Sequence, residues 1–200
     1  MKKHLFIIFL LATPLLFGQN SKQFKEAEKF QKKLNKEFSS KEKSPLTEDD
    51  LAVFKSLEFF HIDSNFMVTA SLTIHKDSKP FQMKTTTDRL PVYKLYATAR
   101  FKLNGKDYSL DIYQNEKLLL TPEYEDYLFL PFTDLTNGDS TYGGGRYIDL
   151  NLPEGNSIVI DFNQAYNPYC AYNEKYSCPI PPKSNHLDTA VMAGVKTFEH

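Results

Sequence analysis

The residues best suited to chemistry gather late in the chain. Gly143-Gly144-Gly145-Arg146-Tyr147 sets three consecutive glycines beside a guanidinium and a phenol. Glycine reaches torsions closed to other residues and lets a ligand or a strand come close. Three successive backbone N–H groups can form an anion nest, to which Arg146 adds a forked donor for carboxylate or phosphate. The competing reading is a tight corner at the mouth of a strand, with Arg146 paired to a structural Asp. A nucleotide P-loop requires a Gly-Lys-Ser/Thr ending, which is absent. Farther on, Asp149, Asp161 and Asn163 alternate so as to share one face with Tyr147 if their two segments pair as a hairpin. Carboxylate pairs act as acid and base when their environments push the pKa values apart, and cross-strand neighbours reach the separations glycosidases use. Against this, Asp and Asn at strand ends often satisfy backbone groups. Tyr142, Tyr147, Tyr166, Tyr169, Tyr172 and Tyr176 cluster in sequence. Rings with polar tips line sugar or peptide clefts, although the absence of Trp weakens the sugar reading.

Other chemistries find less support. Cys170 and Cys178 are the two cysteines, in a stretch rich in Pro and Tyr. The expected outcome is a disulfide staple in an oxidising compartment, worth about 2.5 kcal/mol for so short a loop, less any strain. Redox-active pairs usually use the tighter C-x-x-C spacing. A zinc site would need two more ligands, and His186 is the one histidine near in sequence. Asp134, Asn137 and Asp139 miss the calcium-loop spacing, and no G-x-S-x-G elbow is present. No metal and no cofactor are expected. A net charge of −1 gives no basic footprint for nucleic acid.

Positioning these residues falls to the rest of the 200-residue chain. Residues 1–19 read as a secretory signal: Lys2 and Lys3, then an uncharged apolar run from Leu5 to Phe17, then Gly18. That run is shorter than the roughly 20 residues a membrane span needs, so the exported chain, periplasmic or extracellular, is expected to carry no transmembrane span. Phe24, Ala27, Phe30, Leu34 and Phe38 recur at helical spacing and predict an amphipathic helix with a lysine-rich outer face. Residues 20–44 thus form a helix and linker ahead of a single β-rich domain over 45–200. Thr47 and Asp50 resemble a capping box opening a short helix. From residue 65 the period becomes two, with alternating runs over 66–74, 81–87 and 95–103. Asn104-Gly105 predicts a two-residue hairpin turn that sets Phe101 opposite Tyr108, Ala99 opposite Leu110 and Ala97 opposite Ile112. Pro153-Glu154-Gly155 predicts a second hairpin, with Leu150 opposite Ile158 and Ile148 opposite Ile160. The sum is a mostly β fold, an antiparallel sandwich or open barrel with an N-terminal amphipathic helix.

Several motifs carry a resemblance. Pro131-Phe132-Thr133-Asp134, Thr141 to Tyr147, Asp161-Phe162-Asn163, Ala165-Tyr166-Asn167-Pro168, Cys170 and Cys178-Pro179 resemble those of a bacterial family of exported proteins, the domain of unknown function 1684. Met83, Thr85 to Thr87 and Ala193-Gly194 fit the same pattern, while Val195 stands where the family usually carries Glu. The resemblance spans about residues 45 to 197 and implies membership without implying an activity. Three functional readings follow. The first is a small-ligand-binding or envelope-associated β module whose site joins Gly143, Gly144, Gly145, Arg146, Tyr147, Asp149, Asp161, Asn163, Tyr166 and Asn167. Its ligand is expected to be small and anionic or hydroxyl-rich. The second is a hydrolase using an Asp149 or Asp161 carboxylate with Arg146. The third gives both motifs a structural role alone.

Overall fold

The computed structural model describes residues 15–200, with side chains from Phe24 onward. The proposed signal, residues 1–19, lies outside the described residues except for the backbone of its last few positions.

Helix α1 (Leu15–Phe38) runs into a short turn, and α2 (Glu48–Val53) follows. The expected cap opens α2: Thr47 accepts the Asp50 N–H at 3.1 Å and donates its own hydroxyl to the Asp50 carboxylate at 2.7 Å. The strands are β1 (Met67–Ile74), β2 (Phe81–Gln82), β3 (Val92–Leu103), β4 (Lys106–Asn115), β5 (Tyr127–Asp134), β6 (Arg146–Asn151), β7 (Ser157–Asp161) and β8 (His186–Leu187). They form a mostly β sheet in the order β6-β5-β4-β3-β1-β7, antiparallel throughout that path. The short β2 adds to β3, and β8 adds to β5 in parallel. The sheet curls into a half-barrel, so its end strands β6 and β7 approach one another without hydrogen-bonding.

The Asn104-Gly105 turn forms as its residue types require, with φ of 51° and 79° at the two positions. All three expected pairs, Phe101–Tyr108, Ala99–Leu110 and Ala97–Ile112, are observed. The second hairpin is a correction. β6 pairs with β5, Leu150 facing Leu128 and Ile148 facing Leu130, while β7 pairs with β1, Ile158 facing Ala70 and Ile160 facing Val68. Alternation identifies the buried face of a strand but not the neighbour that covers it; here two adjacent strands became opposite edges of a curled sheet. The run over 81–87 is also shorter than its pattern. Thr85 turns its hydroxyl onto the carbonyls of Thr87 and Arg89 at 3.0 and 2.6 Å, and such local bonds compete with a ladder.

The concave face holds the main core. Val68, Ala70 and Leu72 of β1 meet Ala97, Ala99 and Phe101 of β3, Leu128, Leu130 and Phe132 of β5, and Ile158 and Ile160 of β7. On the other face Tyr93, Tyr113, Phe129 and Tyr147 stack with Met83 under the segments around residues 83 and 179. A third cluster docks α1: Leu34 and Phe38 pack with Leu46, Leu57, Tyr172 and Val195. Phe38 meets Tyr172 edge-on with ring centroids 4.7 Å apart. The helical period of α1 therefore does positional work, carrying the helix onto the loops that follow β7. Among the described residues no helix is long and apolar enough to cross a membrane.

Candidate functional site

The two motif stretches do fold side by side. Tyr147 and Tyr166 exchange backbone hydrogen bonds of 2.9 and 3.0 Å, an antiparallel bridge between β6 and the segment before the first cysteine. From that bridge the polar side chains part into two sets with different surroundings.

One set is buried in the framework. Arg146 is 0 % exposed. Its Nη2 donates to the Asp134 carboxylate at 2.8 Å and to the Val191 carbonyl at 2.8 Å, and its Nη1 donates to the Ala193 carbonyl. Burial pulls the guanidinium pKa down and Asp134 opposes that pull; with so high a starting value the group stays charged. Asp134 in turn accepts from the Thr136 N–H, the Thr136 hydroxyl and the Val191 N–H at 2.9, 2.6 and 3.1 Å. This closed pair ties β5, β6 and the C-terminal segment together. Gly145, at φ 90°, lies where a Cβ would come within 2.6 Å of the Phe132 carbonyl and 2.8 Å of the Pro181 ring. Its N–H already donates to the Tyr142 carbonyl at 3.1 Å, while Gly143 and Gly144 are exposed. The glycine run therefore makes a tight corner into β6.

Asp161, Asn163 and Asn167 belong to the same framework. Asp161 caps the turn that follows β7, accepting from the Asn163 N–H at 3.0 Å, Asn163 Nδ2 at 2.8 Å and Gln164 Nε2 at 3.1 Å. Asn163 clasps the backbone of Asp63, with Oδ1 accepting its N–H at 2.9 Å and Nδ2 donating to its carbonyl at 3.0 Å. Asn167 Nδ2 donates to the Lys196 carbonyl at 2.9 Å. None of these side chains lines the cleft that Tyr147 and Asp149 border. Asp161 does border a smaller hollow shared with Asp149 and Glu26 in the gap between β6 and β7.

The other set, Tyr147, Asp149 and Tyr166, meets in a cleft of about 330 Å³ between α1 and the loops after β7. Phe30, Lys33, Leu34 and Glu37 of α1 form one wall; Pro168, Tyr169, Tyr176 and Pro179 stand opposite. Asp149 is its polar centre. Its Oδ1 accepts the hydroxyls of Tyr127 at 2.8 Å and Tyr166 at 2.7 Å, and no donor among the described residues reaches Oδ2. The carboxylate is densely walled yet open to solvent. Crowding raises its pKa, and the two tyrosine hydroxyls, with Lys33 nearby, hold back part of the rise. Burial, reinforced by the Asp149 charge, pushes the Tyr127 and Tyr166 hydroxyls well above their ordinary range, so both remain donors. Tyr147 donates its hydroxyl to the Pro179 carbonyl and offers the cleft its ring.

The cysteines call for a correction too. They stand as free thiols, not at disulfide distance, with the Cys170 N–H donating to Cys178 Sγ at 3.1 Å. The backbone turn at Tyr169–Ala171 and the Thr86 contact at Cys178 bring the Cys170 N–H, instead of the Cys170 sulfur, onto Cys178 Sγ.

Sequence reasoning did not find the α1 wall or Tyr127. Tyr127 comes to Asp149 through the β5–β6 pairing, which sets Phe129 opposite Asp149, a register that the expected β6–β7 hairpin does not contain. The α1 residues show a signal only in hindsight, since Phe30 and Leu34 lie on the apolar stripe that faces the domain. The hydrolase reading finds no support in this arrangement, because Arg146 and the Asp161 oxygens are both committed elsewhere.

Comparison with known proteins agrees with these motifs. No curated protein matches the chain. A solution NMR structure of the uncharacterized protein from gene locus rrnAC0354 of Haloarcula marismortui superposes with a TM-score of 0.71 at 34 % sequence identity, covering 92 % of this chain and 99 % of that one. The model of the family described as protein of unknown function (DUF1684) matches residues 52–196, and the chain belongs to that family.

Proposed function

We propose that this chain is an exported small-ligand-binding β module whose site is the cleft between α1 and the loops after β7. The observation that carries the reading is the half-used carboxylate of Asp149. One oxygen is held by two tyrosine hydroxyls, no donor among the described residues reaches the other, and the residue lines an aromatic-walled, solvent-open space. Such a group accepts a ligand hydroxyl, while Tyr147, Tyr166 and Tyr169 supply apolar faces for its carbon skeleton. Of the two ligand classes expected, a hydroxyl-rich molecule fits better than an anion. Glu37 and Asp149 line the cleft, Lys33 is the cation among its described lining residues, and Arg146 is closed off.

Thermal-shift titration against a panel of sugars, polyols and carboxylates tests this. A hydroxyl-rich compound should raise the melting temperature, and Asp149→Asn and Tyr166→Phe should each remove the shift without loss of fold. A shift that survives both substitutions would place binding elsewhere. N-terminal sequencing of the protein recovered from a bacterial periplasm tests export, with a start near residue 20 expected and an intact Met1 contradicting it.

A further inference from the structure

The thiols of Cys170 and Cys178 are neither bonded nor equivalent, and their setting has the anatomy of an exchange site. Cys178 is buried and Cys170 partly exposed. The Cys178 backbone is clamped from both sides, its N–H donating to Thr86 Oγ1 at 3.1 Å and its carbonyl accepting the Thr86 N–H at 2.9 Å. Cys178 Sγ accepts the Cys170 N–H at 3.1 Å, which holds the two residues in contact. The Tyr142 hydroxyl lies 3.8 Å from Cys170 Sγ. A phenol thus stands beside the partly exposed sulfur, and the buried cysteine lies behind it.

We propose that Cys170 and Cys178 form a reactive dithiol that exchanges with small disulfides, Cys170 attacking and Cys178 resolving. In the first step the Cys170 thiolate attacks one sulfur of RSSR; the S–S bond breaks, and the released RS⁻ takes a proton from water. In the second step Cys178 gives its proton to solvent and its sulfur attacks the Cys170 sulfur of the mixed disulfide, expelling the second RS⁻, which is protonated in turn. The two thiols lose two electrons, and RSSR is reduced to two RSH. The direction is set by exposure, since Cys170 is the partly open thiol and Cys178 the buried one. Contact with Cys178, then the Tyr142 hydroxyl, brings the Cys170 thiol down to about 6 against the opposing effect of burial, whereas the same contact and burial push Cys178 up. Tyr142 and Tyr147 face the pair as neutral phenols, both raised by burial, and the Arg89 charge acts on Cys178 in the opposite sense to these causes. Cys178 also lines the cleft beside Tyr147 and Pro179, so oxidation would alter one wall of it.

The test uses the reduced full-length chain with oxidised glutathione, acid quenching and peptide mass mapping. Near pH 6 a thiol this acidic is about half ionised. After allowance for the lower nucleophilicity of an acidic thiolate, Cys170 should exchange about tenfold faster than an unperturbed cysteine peptide. The wild type should end as the internal disulfide, Cys178→Ser should accumulate glutathione on Cys170, and Cys170→Ser should exchange at least about tenfold more slowly. Equal rates at the two cysteines, a pH profile centred on the ordinary thiol value, or glutathione captured first by Cys178 would overturn the proposal. Mapping on the wild type reads all three, so the proposal can be overturned even where a variant fails to fold.

Discussion

Breaking the Arg146–Asp134 pair should be among the costliest single changes in the chain. Both side chains are fully buried and 2.8 Å apart. Arg146→Met would leave the Asp134 Oδ2 without its partner and strand the Val191 and Ala193 carbonyls that the guanidinium now satisfies. Asp134→Asn would keep the Oδ1 contacts to Thr136 and Val191 but set the buried cation against a neutral amide. Removing one partner of a buried pair costs about 3–5 kcal/mol. In a chain of this size each kcal/mol lowers the melting temperature by about 2–4 °C, so each variant should melt about 6–20 °C below wild type. Calorimetry on both single variants and on the double variant closes a cycle. The double variant should cost less than the sum of the singles by about 1–3 kcal/mol, because the second change removes a charge the first left unpaired. Single-variant costs below about 1 kcal/mol, or strict additivity, would refute the assignment of Arg146 to the framework.

Four further outcomes follow. Gly145→Ala should cost at least about 2 kcal/mol, since left-handed strain adds to the Phe132 and Pro181 overlap. Gly105→Ala, with open space around it at φ 79°, should cost only about 1–2 kcal/mol; denaturant midpoints compare the two. Phe38→Ala should lose about 3–5 kcal/mol and loosen α1 from the domain, read as faster amide exchange along the helix. Asp149, whose pKa is raised on folding, binds its proton more tightly in the native state, so its contribution to stability is full below the unfolded value near 3.9 and falls as pH rises through the folded pKa. Asp149→Asn should therefore stabilise at pH 7 relative to pH 4, by less than about 1 kcal/mol because solvent reaches the carboxylate; a gain confined to low pH would reverse the sign.

Local chemistry was legible and long-range partnering was not. Asn104-Gly105 stated its own turn, and with it the register from Ala97 to Ile112, because adjacent strands leave one short loop to satisfy. The Pro153-Glu154-Gly155 segment carries similar residues, yet Ile148 and Ile158 found Leu130 and Ala70 instead of each other. Both pairings bury the same apolar face, and only closure of the whole half-barrel decides between them. The candidate residues split for a related reason. Arg146 and Asp149 lie on opposite faces of one strand, so only one of them could open to the cleft. That Asp149 would meet Lys33 and Glu37 across more than a hundred residues depends on where α1 docks, which its helical period alone does not state.

The most direct test of the binding site is residue-resolved NMR of the ¹⁵N-labelled chain, titrated with the hydroxyl-rich compound that gives the largest thermal shift. Amide shifts should concentrate at Tyr147, Asp149, Tyr166 and the Phe30–Glu37 face of α1, saturate together, and vanish in Asp149→Asn. Saturating shifts centred on another surface, or unchanged shifts in that variant, would contradict the account.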